Sequence, residues 1–350
     1  MSLMPVEEAL SRLLHGVDPI LETETVALRA AAGRVLADDI SALRTQPPFD
    51  ASAMDGYAVR AADAFKGAVL RVTGISAAGA AFAGAVEPGA AVRIFTGAPL
   101  PAGADTVLIQ ENATLEAPDA LRVDVAAEPT RHIRKAGLDF AQGAVLLQAG
   151  LHLRAGHVAL AASAGHPQLP VRRRPRVAIL ATGDELVMPG ESTGPDQIVA
   201  SNGFGLAAMV EAHGGDVLDL GIAPDDLTVL EARLAEAEDA RADIIVTIGG
   251  ASVGDRDLVA PALQARGVEL DFWKVAMRPG KPVMAGRKGA LRVIGLPGNP
   301  ASTMVAATLF LRPLVRRLAG LGAGMGFQRG LLSAACLLYT SDAADDTPCV

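Results

Sequence analysis

The chain has 350 residues, half of them apolar, and its 31 basic and 39 acidic residues give a formal net charge of -8. A chain of this length can bury more than one core, so two to three domains are expected. The acidic balance and the 3% aromatic content argue against a nucleic-acid partner, which needs basic charge and stacking surfaces. The longest uncharged apolar stretch near the C-terminus, residues 303–311, is far shorter than the ~20 residues of a spanning helix, so no membrane contact is expected.

The N-terminus and the cysteines indicate a cytoplasmic protein. The first ten residues, MSLMPVEEAL, carry acids where a secretory signal needs basic residues before a longer apolar run. Both cysteines, Cys336 and Cys349, fall in the last fifteen residues, so the preceding 335 hold neither a disulfide nor a thiolate metal site. This cysteine usage is typical of a reducing compartment.

The beginning of the chain is predicted to be largely helical. Pro5 suits the first turn of a helix, and Val6, Leu10 and Leu13 recur at helical spacing, which indicates an amphipathic helix. A second helix is predicted over residues 26–36.

The middle of the chain changes period twice. From residue 45 to about residue 139, short apolar runs between Gly and Pro turns replace the helical period, which indicates a β-rich region. Residues 144–164 are predicted to be partly helical again. The basic stretch at 171–176, VRRRPR, is interpreted as a solvated linker rather than as an anion site.

Beyond this linker, the sequence predicts an α/β region. Helical patterns such as residues 228–240 separate most of its apolar runs, and this alternation predicts a mostly parallel sheet with crossover helices. The apolar runs are residues 177–181, 217–220, 244–248, 270–275 and 291–294.

Three glycine-rich turns each follow an apolar run of the α/β region. They are IIVTIGGASVGDRD at 244–257, VAMRPGKPV at 275–283 and VIGLPGNPAS at 293–302. Turns at the carboxyl ends of parallel strands leave backbone N–H groups free for a ligand. Arg278 and Lys281 add a guanidinium fork and a point charge beside these turns. The sequence therefore predicts a site for a phosphate or another oxyanion.

The third turn also has the residues of a helix start. Asn299 suits the N-cap and Pro300 the first helical position, and the free N–H groups of a helix start can hold an anion. Capping alone explains these two residues equally well. It does not explain Gly295 and Gly298, which flank the turn.

Acidic residues cluster where strands of the α/β region are predicted to end. They are Asp184, Glu185, Asp225, Asp226, Asp255 and Asp257. Two carboxylates about 4 Å apart repel by about 4 kcal/mol at an effective dielectric constant near ~20, so a converging set needs a cation or a proton. Oxygen ligands without cysteine favour a hard ion, most simply Mg²⁺. Alternatively the acids cap helices or are solvated, and this alternative stays open for Asp226 and Asp255 in particular.

The β-rich region holds a second polar cluster. FDASAMDGYAVR at 49–60 places Asp50, Ser52 and Asp55 in a turn before a strand, and TGAPLPAGAD at 96–105 is a rigid Pro/Gly loop. A third segment, RKAGLD, ends in Asp139. Such loops can hold polar groups in a fixed geometry, although a run of ordinary β-turns explains the same residues.

Six motifs occur together in a single order along the chain. They are FDASAMDGYAVR, RIFTGAPLPAGAD, ATGDEL, TIGGASVGDRD, RPGKP and GLPGNPAS. In this set and order, the chain resembles the molybdopterin molybdenumtransferases, the MoeA and gephyrin E-domain family, from the first helix to about Leu318. The resemblance implies a homodimer with a molybdopterin-binding α/β domain at 173–320. It also implies a helical and linker domain made from two segments, 1–44 and 140–172, with the β-rich domain at 45–139 inserted between them.

The resemblance also implies an activity. Adenylylated molybdopterin and molybdate would be converted to molybdenum cofactor, with release of AMP and with help from a divalent metal such as Mg²⁺. The two dithiolene sulfurs come from the substrate, so the protein itself needs no cysteine. Catalysis would then consist of positioning molybdate beside these sulfurs and of metal-assisted cleavage of the adenylyl phosphate.

The functional residues follow from the turns and from the resemblance, position by position. The catalytic residues are Asp55, Thr96, Asp139, Glu185 and Asp257. The metal ligands are Glu185, Asp225 and Asp257. The substrate-binding residues are Asp184, Gly249, Gly250, Ser252, Lys274, Arg278, Lys281, Pro297, Asn299, Pro300 and Ser302.

The chain departs from the family pattern at two places. Ala51 stands where the family usually has Asn, and the family continues into a C-terminal β-domain, whereas residues 333–350 are expected to be a non-native tail. Two alternative functions stay open. One is a non-catalytic module that binds pterin or molybdate; the other is an enzyme like the molybdopterin adenylyltransferases, which share a GG-turn domain but lack the inserted β-rich half.

Overall fold

The computed structural model describes residues 3–250 and 258–324. Helix α1 (Val6–Leu14) follows Pro5 and buries Ala9 and Leu13, so the predicted amphipathic helix is confirmed. The chain then forms strands β1 (Thr23–Ala27) and β2 (Ile40–Ser41). The predicted tail at 333–350 lies outside the described residues.

The predicted second helix, over residues 26–36, is wrong. Only Leu28–Ala30 is helical, as a single 3₁₀ turn, and Gly33 has a φ of 80°, which is incompatible with an α-helix. Val26 instead pairs with Leu169 of a strand later in the chain. Tertiary pairing has overridden the helical spacing of the apolar residues.

Residues 45–139 fold into a β-rich body, as the sequence predicts. Its strands are β3 (Ala51–Ser52), β4 (Gly56–Val59), β5 (Val69–Ser76), β6 (Ala90–Ile94), β7 (Thr106–Ile109), β8 (Ala113–Ala117), β9 (Ala120–Val123) and β10 (Ile133–Arg134). Six of them form one sheet in the order β7-β4-β6-β5-β9-β8, in which only β5 and β6 are parallel neighbours. Side chains alternate between its two faces, so Leu70 and Leu121 pack in one cluster and Val92 and Ile94 in another.

The chain then returns to its N-terminal segment through strand β11 (Val145–Leu147), helix α2 (Ala155–Ser163) and strand β12 (Gln168–Arg172). Strand β11 pairs with β2, and β12 pairs with β1, both antiparallel. Leu36, Leu153 and Leu169 are fully buried in the core between these segments. The segments on either side of the β-rich body are therefore packed together, while the predicted domain boundaries stay a prediction.

The remaining described residues form an α/β unit. Its elements are β13 (Arg176–Thr182), β14 (Leu186–Val187), β15 (Ile198–Val199), α3 (Asn202–Ala212), β16 (Asp216–Ala223), α4 (Leu227–Asp239), β17 (Ile244–Ile248), α5 (Val259–Ala265), β18 (Glu269–Trp273), β19 (Met284–Lys288), β20 (Leu291–Leu296), α6 (Pro300–Ala306) and α7 (Arg312–Leu318). A π-helical turn, Ala307–Leu311, joins α6 to α7.

The central sheet has the order β16-β13-β17-β20-β19-β18, and its first four strands are parallel. Each of the five predicted apolar runs overlaps one of its strands, and the predicted helix at 228–240 matches α4, so the mostly parallel sheet with crossover helices is confirmed. Strand β19 was not predicted. It ends in Gly286, Arg287 and Lys288, and these residues give no continuous apolar run.

Helices cover both faces of this sheet. Phe310 and Leu314, from the π-helical turn and α7, pack on one face with Leu206 of α3, and Leu230 and Leu263, from α4 and α5, pack on the other. Helix α1 adds Ala9 and Leu13 to the first of these cores, although it begins the chain. Among the described residues, no helix is both long and apolar enough to cross a membrane.

The interpretation of residues 171–176 as a solvated linker is wrong. The guanidinium of Arg173 is bidentate on Asp243, at 2.8 and 3.1 Å, and its Nε donates to Glu22 at 2.7 Å. Asp243 also accepts from the backbone N–H of Arg176 at 2.7 Å. Hydrogen bonding to Asp243 raises the pKa of Arg173. The basic stretch therefore joins the N-terminal segment to the α/β unit, because Arg173 pairs with a carboxylate on each of them.

We expect Asp243→Asn to lower the thermal midpoint by about 2–6 °C, because it removes a largely buried, bidentate, charge-assisted contact of Arg173. Arg174→Gln is the control, since Arg174 contacts Asp216 at 3.5 Å in an exposed pair and such pairs contribute little. Scanning calorimetry of both variants measures the difference. Equal midpoints for the two variants would contradict a structural role of the Arg173 junction.

Candidate functional site

A cleft lies at the carboxyl ends of the parallel strands. It has a volume of about 300 Å³ and opens where β13, β17 and β20 end, which is where α/β sheets bind ligands. Strands β14 and β15 and the start of α3 form its other wall. The polar groups on its lining include Thr182, Glu185, Ser201, Asn202, Gly249, Gly298 and Asn299.

The first and third glycine-rich turns meet in this cleft. The N–H of Gly249 donates to the carbonyl of Leu296 at 3.0 Å, and Gly249 has a φ of 90°. A Cβ on Gly249 would lie 2.7 Å from the carbonyl oxygen of Thr182, and one on Gly298 would lie 3.9 Å from the Cα of Gly249. The absence of a side chain at Gly249 therefore lets the end of β17 lie close to the carbonyl of Thr182 at the end of β13.

The third turn is held at both of its ends. The side chain of Asn299 accepts from the N–H of Ser302 at 3.2 Å, so the capping interpretation of Asn299 is confirmed, and Pro300 is the first residue of α6. The hydroxyl of Thr303 donates to the carbonyl of Asn299 at 2.8 Å. Pro297 and Ser302 are buried behind the cleft lining rather than exposed on it.

One cleft residue was missed by sequence reasoning. The side-chain amide of Asn202 donates to the carbonyl of Gly298 at 2.7 Å and so ties the start of α3 to the third turn. The Ser201–Asn202 pair before an apolar stretch was a usable helix-start signal. Its contact with Gly298, 96 residues away in sequence, could not be read from the chain.

The second turn packs against the start of α6. Lys274 has a φ of 77° and donates its N–H to the carbonyl of Val283 at 3.0 Å. A Cβ on Gly280 would lie 3.4 Å from the carbonyl oxygen of Ser302. Arg278 and Lys281 are exposed on either side of Gly280. The structure therefore brings the backbone of the second turn against the start of α6, with both cations exposed on that turn.

The acidic residues divide into three groups. Asp184 accepts from the N–H of Asp225 at 3.1 Å, which joins the ends of β13 and β16, and Glu185 lines the cleft. Asp226 accepts from the N–H of Val229 at 3.0 Å and caps α4, so the capping alternative is confirmed for Asp226. The third group, Asp255 and Asp257, lies outside the described residues, as does the predicted substrate-binding residue Ser252. In the part of the chain that the structure describes, no group of three His, Cys, Asp or Glu residues could hold a metal ion, and the predicted ligand set stays a prediction.

In the β-rich body, Asp55 and Thr96 are in direct contact. One oxygen of Asp55, Oδ1, accepts from both the N–H and the hydroxyl of Thr96, each at 2.8 Å. These two hydrogen bonds lower the pKa of Asp55, and the charge of Arg93 lowers it further. Asp55 is therefore held as an oriented carboxylate.

The three polar loops of the β-rich region converge around this pair. The N–H of Ser52 donates to the carbonyl of Ala98 at 2.9 Å, and the N–H of Ala53 donates to that of His132 at 2.8 Å. Asp50 accepts from Lys135 at 2.7 Å and from the N–H of Ala136 at 2.9 Å, and the Lys135 contact lowers its pKa. The backbone of these loops thus forms one unit, as the predicted second cluster requires.

In the part of the chain that the structure describes, the predicted catalytic residues of the β-rich body form their hydrogen bonds within that body and not with the cleft of the α/β unit. The carboxylate of Asp139 accepts from Arg134 at 3.1 Å, and the backbone N–H of Asp139 donates to the carbonyl of Gln46 at 3.0 Å. The N–H of Gln110 donates to the carbonyl of Asp55. Arg134, Gln46 and Gln110 all belong to the β-rich body. Among the described residues, the hydrogen bonds of Asp55, Thr96 and Asp139 do not reach the cleft.

Two family models match the chain. The model of the MoeA N-terminal region (domain I and II) matches residues 4–165, and the model of a probable molybdopterin binding domain matches residues 178–317. The first match includes the β-rich body at 45–139. The molybdopterin adenylyltransferases lack such an inserted half, so this match disfavours an adenylyltransferase-like enzyme.

Curated relatives and solved structures agree with these matches. The molybdopterin molybdenumtransferase of Haemophilus influenzae is 36% identical, over 91% of this chain and 78% of the relative. That of Nostoc sp. is 38% identical, over 89% of this chain and 73% of the relative. Two crystal structures of a MoeA protein from Pyrococcus horikoshii, at 33% and 32% identity, cover 91% of this chain and 81% and 80% of theirs, with TM-scores of 0.76 and 0.75. The predicted fold class is confirmed, and relatives that are enzymes by name disfavour a non-catalytic module.

Proposed function

Because the chain belongs to the molybdopterin molybdenumtransferase family, we propose that it inserts molybdate into the dithiolene of adenylylated molybdopterin and releases AMP. Two molybdenum–sulfur bonds form as two Mo–O bonds of molybdate break, and the released oxygens leave as water with the thiol protons and protons from solvent. Water attacks phosphorus as the P–O bond of the adenylyl anhydride breaks, which gives AMP and the phosphate of the pterin. The observation that carries the proposal is that the first and third glycine-rich turns meet in the cleft at the end of the parallel sheet. The second turn, with the exposed Arg278 and Lys281, packs against the start of α6. No protein thiolate is required, and the chain has no cysteine before Cys336.

The phosphates of the substrate are assigned to the cleft. Backbone N–H groups at glycine-rich turns bind anions, and Gly249 and Gly298 both line the cleft. Arg278 can fork onto a phosphate, while Lys281 acts as a point charge. Binding of this kind holds molybdate and the adenylyl phosphate next to the sulfurs, so that positioning supplies a large part of the rate.

Magnesium is proposed as the metal of this site. Glu185 and Asp225 offer only carboxylate oxygens, both are exposed, and the contact between Asp225 and Asp184 brings two strand ends together. Such donors fit a hard cation. Glu185 and Asp225, with Asp257 outside the described residues, would hold the ion. When bound, it supplies positive charge to the anhydride that is cleaved.

We propose a homodimer in which the Asp55 and Thr96 pair of one copy faces the cleft of the other. Two observations support this arrangement: Asp55 is an oriented carboxylate whose described hydrogen-bond partners all lie in its own body, and the second turn carries two exposed cations, Arg278 and Lys281. A second copy would complete the site, as in an isologous dimer. The absence of cysteine from the first 335 residues supports a cytoplasmic location.

We expect the double variant Arg278→Ala with Lys281→Ala to bind adenylylated molybdopterin at least about tenfold more weakly, because charge-assisted contacts to phosphate are lost. Isothermal calorimetry measures this affinity. The matched control is Arg287→Ala with Lys288→Ala, which removes two exposed cations from the far end of β19. The same affinity in both double variants would overturn the assignment of the cleft.

We expect Glu185→Gln to slow AMP release by about tenfold or more at saturating Mg²⁺, while substrate affinity changes by less. The lost charge acts on the reacting anhydride rather than on binding. Asp226→Asn is the control, since Asp226 neighbours this site but caps α4. Wild-type AMP release by the Glu185 variant would remove this residue from the metal site.

We expect two impaired variants to recover activity when they are refolded together and assayed at a limiting substrate concentration. In a mixed dimer of Asp55→Ala and Lys281→Ala chains, the intact cleft of the first chain meets the intact Asp55 of the second, so about a quarter of the wild-type activity returns after random mixing. Each variant refolded alone is the control. If mixing restores nothing although mixed dimers form, the two groups act within one chain or the site is not shared.

A further inference from the structure

Arg93 occupies an unusual position in the β-rich body. It lies on β6, and its guanidinium carbon is 5.0 Å from the centroids of the Tyr57 and Phe95 rings alike. Arg93 and Phe95 are two residues apart on an extended chain, so their side chains share one face. A guanidinium over aromatic faces is attracted by the ring quadrupoles and loses much of its freedom of movement.

The guanidinium also donates hydrogen bonds to two residues, Gly56 and Gln110, that are directly connected to the backbone of Asp55. Its Nη1 donates to the carbonyl of Gly56 at 3.2 Å, and its Nη2 donates to the side chain of Gln110 at 2.8 Å. Gly56 follows Asp55 directly, and the N–H of Gln110 donates to the carbonyl of Asp55 at 3.1 Å. Arg93 therefore bridges the two backbone segments that determine where Asp55 lies.

The segment that carries Arg93 also provides the partner of Asp55. Thr96 comes three residues after Arg93 and donates both of its hydrogen bonds to Oδ1 of Asp55. Among the described residues, Arg93 has no carboxylate within ion-pair distance, and its hydrogen-bond and ring partners are all uncharged. Its positive charge is therefore available to act on Asp55 without being neutralised.

We propose that Arg93 is a positioning residue for Asp55: its stacked guanidinium fixes the Asp55 turn and keeps a positive charge beside the carboxylate. The proposal rests on the proposed function, in which Asp55 faces the substrate. Arg93 itself is not assigned a contact with substrate. The charged group that acts on Asp55 is Arg93, alongside the uncharged hydrogen-bond donor Thr96.

The first test compares rates of AMP release from adenylylated molybdopterin. We expect Arg93→Met to lower kcat by about 10–100-fold and to change KM by less than about threefold, because alignment rather than substrate binding is lost. We expect Arg93→Lys to recover part of the loss, since it restores the charge but not the fork. Arg71→Met, an exposed arginine on β5 of the same sheet, is the control. Equal kinetics for Arg93→Met and Arg71→Met would overturn the proposal.

The second test asks whether Arg93 acts through Asp55. If it does, adding Arg93→Met to Asp55→Asn lowers kcat no further than Asp55→Asn alone. A general loss of folding would instead multiply the two effects, and multiplicative effects would overturn the proposal. Thermal unfolding of each variant identifies any chain that has failed to fold.

The third test does not depend on activity. In a carbon-detected NMR titration of the Asp55 carboxyl group, we expect Arg93→Met to raise its pKa and Arg71→Met to leave it unchanged. An unchanged pKa in Arg93→Met would overturn the proposal. A wild-type chain that releases no AMP would count against the proposed function, and the titration would still test the role of Arg93.

Discussion

The parallel alignment of β13, β17 and β20 is the constraint from which the cleft follows. Parallel strands end at the same edge of the sheet, so the turns after them must share space there. That space is small: the carbonyl of Thr182 lies where a side chain of Gly249 would be. Glycine at position 249 is thus a condition for the end of β17 to lie against the end of β13, and its N–H donates to the carbonyl of Leu296 at the end of β20. Asn202 fixes the third turn from the opposite wall.

Contacts between distant parts of the chain determine where the β-rich body is attached to the rest of the molecule. Strands β1 and β2 pair with β12 and β11, so the chain leaves for the β-rich body and returns beside its own start. Arg173 then connects this packed base to Asp243 of the α/β unit. Arg173 of the basic stretch thus has a structural role, because it contacts both Glu22 of the N-terminal segment and Asp243 of the α/β unit.

Some of this structure follows from local sequence, and some does not. Apolar runs predict β13, β16, β17, β18 and β20 because a buried strand needs continuous apolar residues. The helix predicted at 26–36 is wrong because pairing with β12 decides that segment. Gly249 and Asn299 could be predicted from turn and capping chemistry. The contact between Arg93 and Gly56 could not, since it joins residues 37 positions apart across two strands.

Among the described residues, the oriented carboxylate of Asp55 forms no ion pair with Arg278 or Lys281. Thr96 donates to Oδ1 of Asp55, and no described residue donates to the other carboxylate oxygen. If Arg278 or Lys281 of the same chain were within reach, an internal ion pair would compete with an anionic substrate for the same charges. Placing the two groups on separately packed bodies avoids that competition within one chain. In the proposed dimer they meet only across the interface, where the bound phosphates and the metal can lie between them and separate the opposite charges.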